Sequence, residues 1–308
     1  MEHRVAIGPS SFAQEDTSPL DMLGNAGCEV VPNPFGRRLT EDEIIDHLQG
    51  VHGLVAGLEP LNERVFSASP DLKAIARVGI GMNNVDREAA ERHGIRVSNT
   101  PDGPVQAVAE MTLTAMLALC RRILPSNEAL HRQEWNKLIG TGLGGATVLI
   151  IGYGRIGQRV GELLRAFGAD LTVFDPFLDA SADVPDDVRQ VEALSEGLAA
   201  ADVVTLHAAG ADVILGPEEF DAMRDGVILL NSARGELVDE DALIRALDSG
   251  KVAAIWFDAF WEEPYAGRLT GYEQALLTPH VGTYTRQCRR DMETAAVRNL
   301  LRDLGIGG

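Results

Sequence analysis

One stretch constrains the fold more than any other. Residues 147–151, Thr-Val-Leu-Ile-Ile, form a short apolar run that passes directly into Gly152-Tyr-Gly154-Arg-Ile-Gly157, and a helical pattern follows at once. A second apolar run at 171–174 ends in Asp175, eighteen residues beyond Gly157. A glycine triad alone is a weak signal, because turns use glycine freely. With a strand before it, a helix after it and an acid downstream, it predicts a strand–turn–helix unit that cradles a pyrophosphate. Gly152 permits the tight turn, Gly154 lets phosphate approach the backbone, and Gly157 lets helix and strand pack closely. The helix start offers free N–H groups and partial positive charge to the anion, and Arg155 caps the phosphates from outside. Asp175 is suited to accept hydrogen bonds from the adenosine ribose. A 2′-phosphate there would meet a carboxylate, and the next residues are Pro176 and Phe177 rather than Arg. The expected cofactor is NAD rather than NADP.

The same alternation of strands and helices runs through the rest of the chain, whose 308 residues suit two domains. Short β-rich runs fall at 5–7, 29–31, 53–56, 74–78 and 96–98, separated by helical patterns. Thr40-Glu-Asp-Glu43 has the chemistry of a capping box. Thr100-Pro-Asp-Gly-Pro104 is turn-rich punctuation, and a long helix is expected at 105–122. A second series of strands follows at 147–151, 171–174, 203–206, 227–230, 253–256 and 275–277, and a helix over 285–304 closes the chain. Strands alternating with helices imply parallel sheets covered on both faces. Residues 179–187 are acidic and turn-like, a solvated surface loop.

Composition removes several function classes. The net charge of −19 opposes binding to nucleic acid phosphates or to an anionic membrane surface. Three widely spaced cysteines, with no CxxC pair, fit neither a disulfide framework nor a zinc site, so no metal is expected. The N-terminus lacks signal-peptide character, and the longest apolar candidate, 111–120, is about half a membrane span. The cytoplasm is the default location.

Several further segments match one family: Ala76-Arg-Val-Gly-Ile-Gly-Met-Asn-Asn-Val-Asp86, Val97-Ser-Asn-Thr-Pro101, Ala107-Val-Ala-Glu110, Asn231-Ser-Ala-Arg-Gly-Glu-Leu-Val-Asp239, Asp258-Ala-Phe-Trp-Glu-Glu-Pro264 and Thr278-Pro-His-Val-Gly282. With the glycine loop, they make the chain resemble the D-isomer-specific 2-hydroxyacid dehydrogenases, which include D-3-phosphoglycerate dehydrogenase, over nearly its whole length. The resemblance implies a flavodoxin-like substrate domain, 1–101 completed by a C-terminal helix at 285–308, and an inserted Rossmann NAD-binding domain at 102–284, both doubly wound parallel sheets. It also implies a homodimer.

Three side chains would carry the chemistry. Arg234 lies just past the strand at 227–230, where α/β sheets bind ligands. Its guanidinium can grip a carboxylate bidentately and polarise the adjacent C2 carbonyl. His280 lies just past the strand at 275–277 and would exchange the hydroxyl proton. Glu263, directly before Pro264, matches the family acid that holds this histidine. The resemblance further places Asp258 at the nicotinamide side of the cofactor, with Ile156, His207, Ser232, Ala233 and Gly282 in the cofactor site. His207 reads as a wall of that site rather than an acid or base. The backbone N–H groups of Ile80 and Gly81 would bind the substrate carboxylate, beside Asn83.

The chain also departs from the family. Ala208-Ala-Gly-Ala-Asp212 is about three residues shorter than the common loop after Leu206-His207 and lacks its proline. Asn83 stands where most relatives have Asp. Ala56-Gly57-Leu58 stands where some phosphoglycerate enzymes place phosphate-gripping arginines, and Arg37, Arg38, Arg132 and Arg286 are the other candidates for a phosphate. The expected activity is NAD-dependent hydride transfer at C2 of a small D-2-hydroxy or 2-oxo acid, with 3-phosphoglycerate, a sugar acid and an unphosphorylated hydroxy acid all open. The alternative is a non-catalytic NAD(H)-binding sensor resembling corepressors, against which the intact Arg234, Glu263 and His280 set argues.

Overall fold

The computed structural model describes residues 3–178 and 184–306. Residues 179–183 of the expected acidic surface loop lie outside this range. The chain divides into two compact units, Met1–Pro104 with Thr283–Gly308, and Val105–Gly282.

The first unit is built on five parallel strands, β1 (His3–Ile7), β2 (Cys28–Val31), β3 (Gly53–Ala56), β4 (Ala74–Arg77) and β5 (Arg96–Asn99), in the order β2-β1-β3-β4-β5. This is the expected doubly wound order, with its switch point between β1 and β3. Every residue of β3 and β4 is buried, as a strand covered on both faces requires. On one face, Leu39, Ile44, Leu61, Val65 and Phe66 pack against Leu54 and Ile75. Each such side chain contributes about 1.5–3 kcal/mol through burial. The helix Arg286–Leu304 packs against β3, β4 and β5. A Cβ at Gly53 would lie 2.9 Å from a Leu304 methyl, so glycine lets this helix lie close. Side-chain caps start four helices of this unit: Thr40 with its capping box, Asn62, Asp86 and Thr285.

The second unit holds seven parallel strands: β6 (Thr147–Ile151), β7 (Asp170–Phe174), β8 (Arg189–Gln190), β9 (Val203–Leu206), β10 (Val227–Asn231), β11 (Val252–Phe257) and β12 (Ala275–Leu277). Their order is β12-β11-β10-β9-β6-β7-β8, which places the switch point between β6 and β9. Two elements depart from expectation. β8 is a pair of exposed polar residues at the sheet edge. The long helix runs Pro104–Cys120, Arg122 turns left-handed (φ +52°), and a second helix covers Ile123–His131. Pro125 falls in the first turn of that second helix, where a missing N–H is tolerated. Leu130, Trp135 and Ile139 in and after this helix are exposed, Trp135 by 79% and Ile139 by 93%.

Among the described residues no helix is long and apolar enough to cross a membrane, and no group of three His, Cys, Asp or Glu could hold a metal ion. The three cysteines are free and buried.

Candidate active site

The glycine loop follows β6 at the switch point of the second sheet. Gly152 has φ +89°, and a Cβ there would lie 2.5 Å from the Ala208 nitrogen, so conformation and space both require glycine. A Cβ at Gly157 would lie 2.1 Å from the Gly152 carbonyl oxygen, whereas one at Gly154 would meet nothing within 4 Å. The open side of the turn is therefore at Gly154, which caps the helix Arg155–Ala166 without any side-chain bond to its first N–H groups. Arg155 is exposed and Ile156 half-buried at the first two positions of that helix. An uncapped helix start facing open space fits a pyrophosphate.

Asp175 stands at the end of β7 against this turn. Its Oδ2 accepts the Tyr153 N–H at 2.8 Å and its Oδ1 the Phe177 N–H at 2.9 Å. Each oxygen keeps a lone pair for a ribose hydroxyl. The carboxylate thus also braces the glycine loop, a contact the sequence did not reveal.

His207 follows β9. Its Nε2 lies 2.9 Å from the Thr205 hydroxyl and its Nδ1 3.4 Å from the Ser232 hydroxyl. Burial pushes the imidazole down to about 3, so it stays neutral at physiological pH.

The three expected chemical residues follow three adjacent strands: Arg234 after β10, Glu263 after β11 and His280 after β12. Asn231, fully buried at the end of β10, shapes the first of these turns. Its Oδ1 accepts the Ala233 N–H at 3.0 Å and its Nδ2 donates to the Arg234 carbonyl at 2.7 Å. Arg234 is extended and half-buried, and its guanidinium donates to the Ala233 carbonyl at 2.7 Å. No carboxylate among the described residues forms an ion pair with it. A Cβ at Gly235 would lie 2.3 Å from the Phe260 carbonyl carbon and the Trp261 nitrogen, so the arginine turn rests directly on the loop carrying Glu263. Asn231 and Gly235 were missed as site-building residues; a buried amide at a strand end is the signal for the first.

His280 Nδ1 lies 2.9 Å and 3.0 Å from the two Glu263 oxygens. Glu263 Oε1 also accepts the Phe260 N–H at 3.2 Å. Burial pushes Glu263 up. The His280 hydrogen bond and charge, the Phe260 N–H and the Arg234 guanidinium more than offset this and hold the carboxyl below its ordinary value. With Nδ1 engaged as the donor to a carboxylate, Nε2 is the nitrogen left for substrate. The His280 backbone is left-handed, φ +54°, a conformation that costs a non-glycine residue on the order of 1–3 kcal/mol.

Asp258 is 2% exposed. Its Oδ1 accepts from the Thr278 hydroxyl at 2.5 Å and the Val281 N–H at 2.9 Å, and its Oδ2 from the Gly282 N–H at 2.7 Å. A Cβ at Gly282 would stand 2.9 Å from Oδ2. The carboxylate expected at the nicotinamide side thus engages the loop that carries His280. Trp256 is core and Trp261 stacks on Phe257.

In the first unit, Ile80, Gly81 and Asn83 lie in the loop after β4, with Ile80 and Asn83 exposed. The Ile80 carbonyl accepts from Asn99 at 2.8 Å, while no partner among the described residues accepts the Ile80 or Gly81 N–H. Glu59, 1% exposed, lies at the carboxyl end of the same sheet. It accepts the Gly57 N–H at 2.8 Å and lies so close to Gly8 that a Cβ there would meet Oε1 at 2.1 Å. Burial pushes Glu59 up, partly offset by backbone N–H groups and by the charges of Arg77 and Arg38. Arg37, Arg132 and Arg286 form ion pairs with Glu43, Glu134 and Glu15.

Residues 113–282 match the family model for the NAD binding domain of D-isomer specific 2-hydroxyacid dehydrogenases. Hydroxypyruvate reductase of Thermotoga maritima is 34% identical over 278 residues, covering 87% of this chain and 90% of that protein. Human D-3-phosphoglycerate dehydrogenase is 34% identical over 275 residues, 87% of this chain and 51% of that protein, so the chain spans about half the length of the curated phosphoglycerate dehydrogenases it matches. Among solved structures, a Thermus thermophilus protein superposes with a TM-score of 0.88 at 33% identity, covering 98% of this chain and 97% of that one. A glyoxylate reductase from Paecilomyes thermophila superposes with 0.85 at 28% identity, covering 98% and 95%.

Proposed function

Because the chain belongs to the D-isomer specific 2-hydroxyacid dehydrogenase family, we propose that it transfers a hydride between NAD(H) and C2 of a small D-2-hydroxy or 2-oxo acid. One observation carries this reading: the ends of three adjacent strands supply a guanidinium that forms no ion pair among the described residues, a carboxylate and an imidazole bonded to that carboxylate. A pure binding module has no need of all three.

In this reading the first unit is the substrate domain and the second the cofactor domain. Gly152, Gly154, Arg155, Ile156 and Gly157 hold the pyrophosphate and Asp175 the ribose, while His207, Ser232, Ala233, Asp258 and Gly282 line the site. The bound nicotinamide supplies the hydride chemistry. During reduction, Arg234 grips the substrate carboxylate and polarises the C2 oxygen, and His280 Nε2 delivers a proton to that oxygen. Glu263 keeps the Nδ1–H oriented and balances the imidazolium charge. In oxidation Nε2 receives the proton. The Ile80 and Gly81 N–H groups, with Asn83, bind the substrate carboxylate.

The substrate is an unphosphorylated oxo acid in this reading. Buried Glu59 sets a carboxylate at the strand ends of the first unit, and three of the four candidate phosphate-binding arginines already face carboxylates. The test is absorbance loss of NADH with a panel of 2-oxo acids, phosphorylated and not. Turnover fastest with an unphosphorylated acid such as hydroxypyruvate is expected. Tight NADH binding without turnover of any of them would favour the sensor.

Asp175→Ala is expected to narrow the preference for NAD over NADP by about tenfold, roughly 1.4 kcal/mol, because it removes both the ribose acceptor and the charge opposing a 2′-phosphate. Comparing the two cofactors' kcat/KM checks this, and an unchanged ratio would count against the ribose contact.

The partner is a second copy of the chain, supported by the exposed Leu130, Trp135 and Ile139 of the second unit. Light scattering should give twice the 33.1 kDa chain mass; a monomer at micromolar concentration would overturn this.

A further inference from the structure

We propose that Thr278 is a positioning residue for His280, acting through Asp258. The inference rests on the reading of His280 as the proton carrier.

The hydrogen bonds run in one direction. Trp256, fully buried in β11, donates its indole N–H to the Thr278 hydroxyl at 2.9 Å. An indole only donates and a carboxylate only accepts, so the hydroxyl's own hydrogen must point to Asp258, 2.5 Å away. Asp258 then holds the Val281 and Gly282 N–H groups. The His280 N–H bonds the Thr278 carbonyl at 2.9 Å. Every backbone donor from 280 to 282 is thereby tied to Thr278 or to the carboxylate that Thr278 holds. Between these ties His280 adopts a left-handed backbone. An unsupported loop would relax from that conformation and carry the imidazole with it.

Glu263 does a different job, since it fixes the ring from another loop through Nδ1. The Thr278–Asp258 link fixes the backbone from which the ring projects. Placement of Nε2 needs both. Removing the hydroxyl leaves the buried indole N–H without its acceptor and leaves Asp258 Oδ1 with the Val281 N–H alone, which unties the His280 loop from Thr278 and favours its movement.

The test pairs Thr278→Val, which keeps the shape but loses the hydroxyl, with Thr278→Ser, which keeps the hydroxyl. Hydroxypyruvate reduction is followed with NADH affinity from fluorescence, thermal unfolding, and the His280 ring resonances of protein labelled with ¹⁵N-histidine, assigned by their loss in His280→Asn. The valine variant should lose about 10- to 100-fold in kcat, since small misplacements of a reacting group have effects of this order. Its KM and NADH affinity should stay within about threefold, and its His280 resonances should shift or broaden. The serine variant should recover kcat to within about threefold of wild type and restore the resonances. Unchanged kcat in the valine variant, equal loss in the serine variant, or NADH affinity falling in step with kcat would overturn the proposal. If wild type reduces no oxo acid, the functional reading fails instead, and the resonances alone decide: unchanged ring signals in Thr278→Val would still overturn the link.

Discussion

Replacing His280 with Asn should lower kcat for NADH-dependent reduction by about 10²–10⁴-fold, the usual contribution of a positioned general acid, and leave NADH affinity within about threefold. The effect is large because no other group offers itself as a substitute. His207, also at a strand end, is held neutral by its surroundings, with both ring nitrogens beside hydroxyls. Glu263 remains in the variant, but it lies on the Nδ1 side of the missing ring, away from the nitrogen left for substrate, with its Oε1 accepting the Phe260 N–H. Asn reproduces part of the Nδ1 hydrogen bond to Glu263 while offering no titratable nitrogen. The loss should therefore fall on kcat rather than on stability. Stopped-flow or steady-state kinetics with fluorescence titration of NADH separates the two quantities. Wild-type kcat in this variant would remove His280 from the chemistry.

The second large effect belongs to Arg234. A bidentate grip on a carboxylate consists of two charge-assisted hydrogen bonds, each worth about 1.5–3 kcal/mol. Arg234→Gln should therefore reduce kcat/KM by on the order of 10²–10⁴, with KM rising as well as kcat falling. The loss should appear in both parameters because the guanidinium binds the ground state and also polarises the reacting carbonyl. Arg234→Lys should recover only a small part, since an ammonium is a point charge without the planar fork. Thermal stability should change little, because among the described residues the guanidinium's hydrogen bond is to the neighbouring Ala233 carbonyl. A glutamine variant with wild-type kcat/KM would show that the carboxylate is gripped elsewhere.

The parts of this molecule legible in its sequence are those whose constraints are local. The turn from Gly152 to Gly157 was readable because the left-handed Gly152 and the Gly157 contact with its carbonyl fall within one short loop, although the clash a side chain at Gly152 would make is with the distant Ala208. The helix start at Thr40 was readable because a cap is a contact three residues long. β8 was invisible because two exposed polar residues carry no periodicity. The helix Ile123–His131 was obscured by Pro125 and by the left-handed Arg122 before it. Within the site, family motifs supplied Arg234, Glu263 and His280, but not what holds them. Asp258 and Thr278 are twenty residues apart, and the Gly235 contact joins two loops more than twenty residues apart. Only folding brings these pairs together. Glu59 gave no signal at all, since an isolated glutamate in sequence reads as a solvated charge.

The central claim is hydride transfer to C2, and isotope transfer tests it most directly. The protein is incubated with hydroxypyruvate and NADH deuterated at C4, and the product is analysed by mass spectrometry and chiral separation. The account predicts a D-configured hydroxy acid carrying one deuterium at C2 when the transferred position is labelled, and none when the label sits on the opposite face. Product without label from either cofactor, or intact cofactor beside unreacted acid despite tight NADH binding, would contradict it.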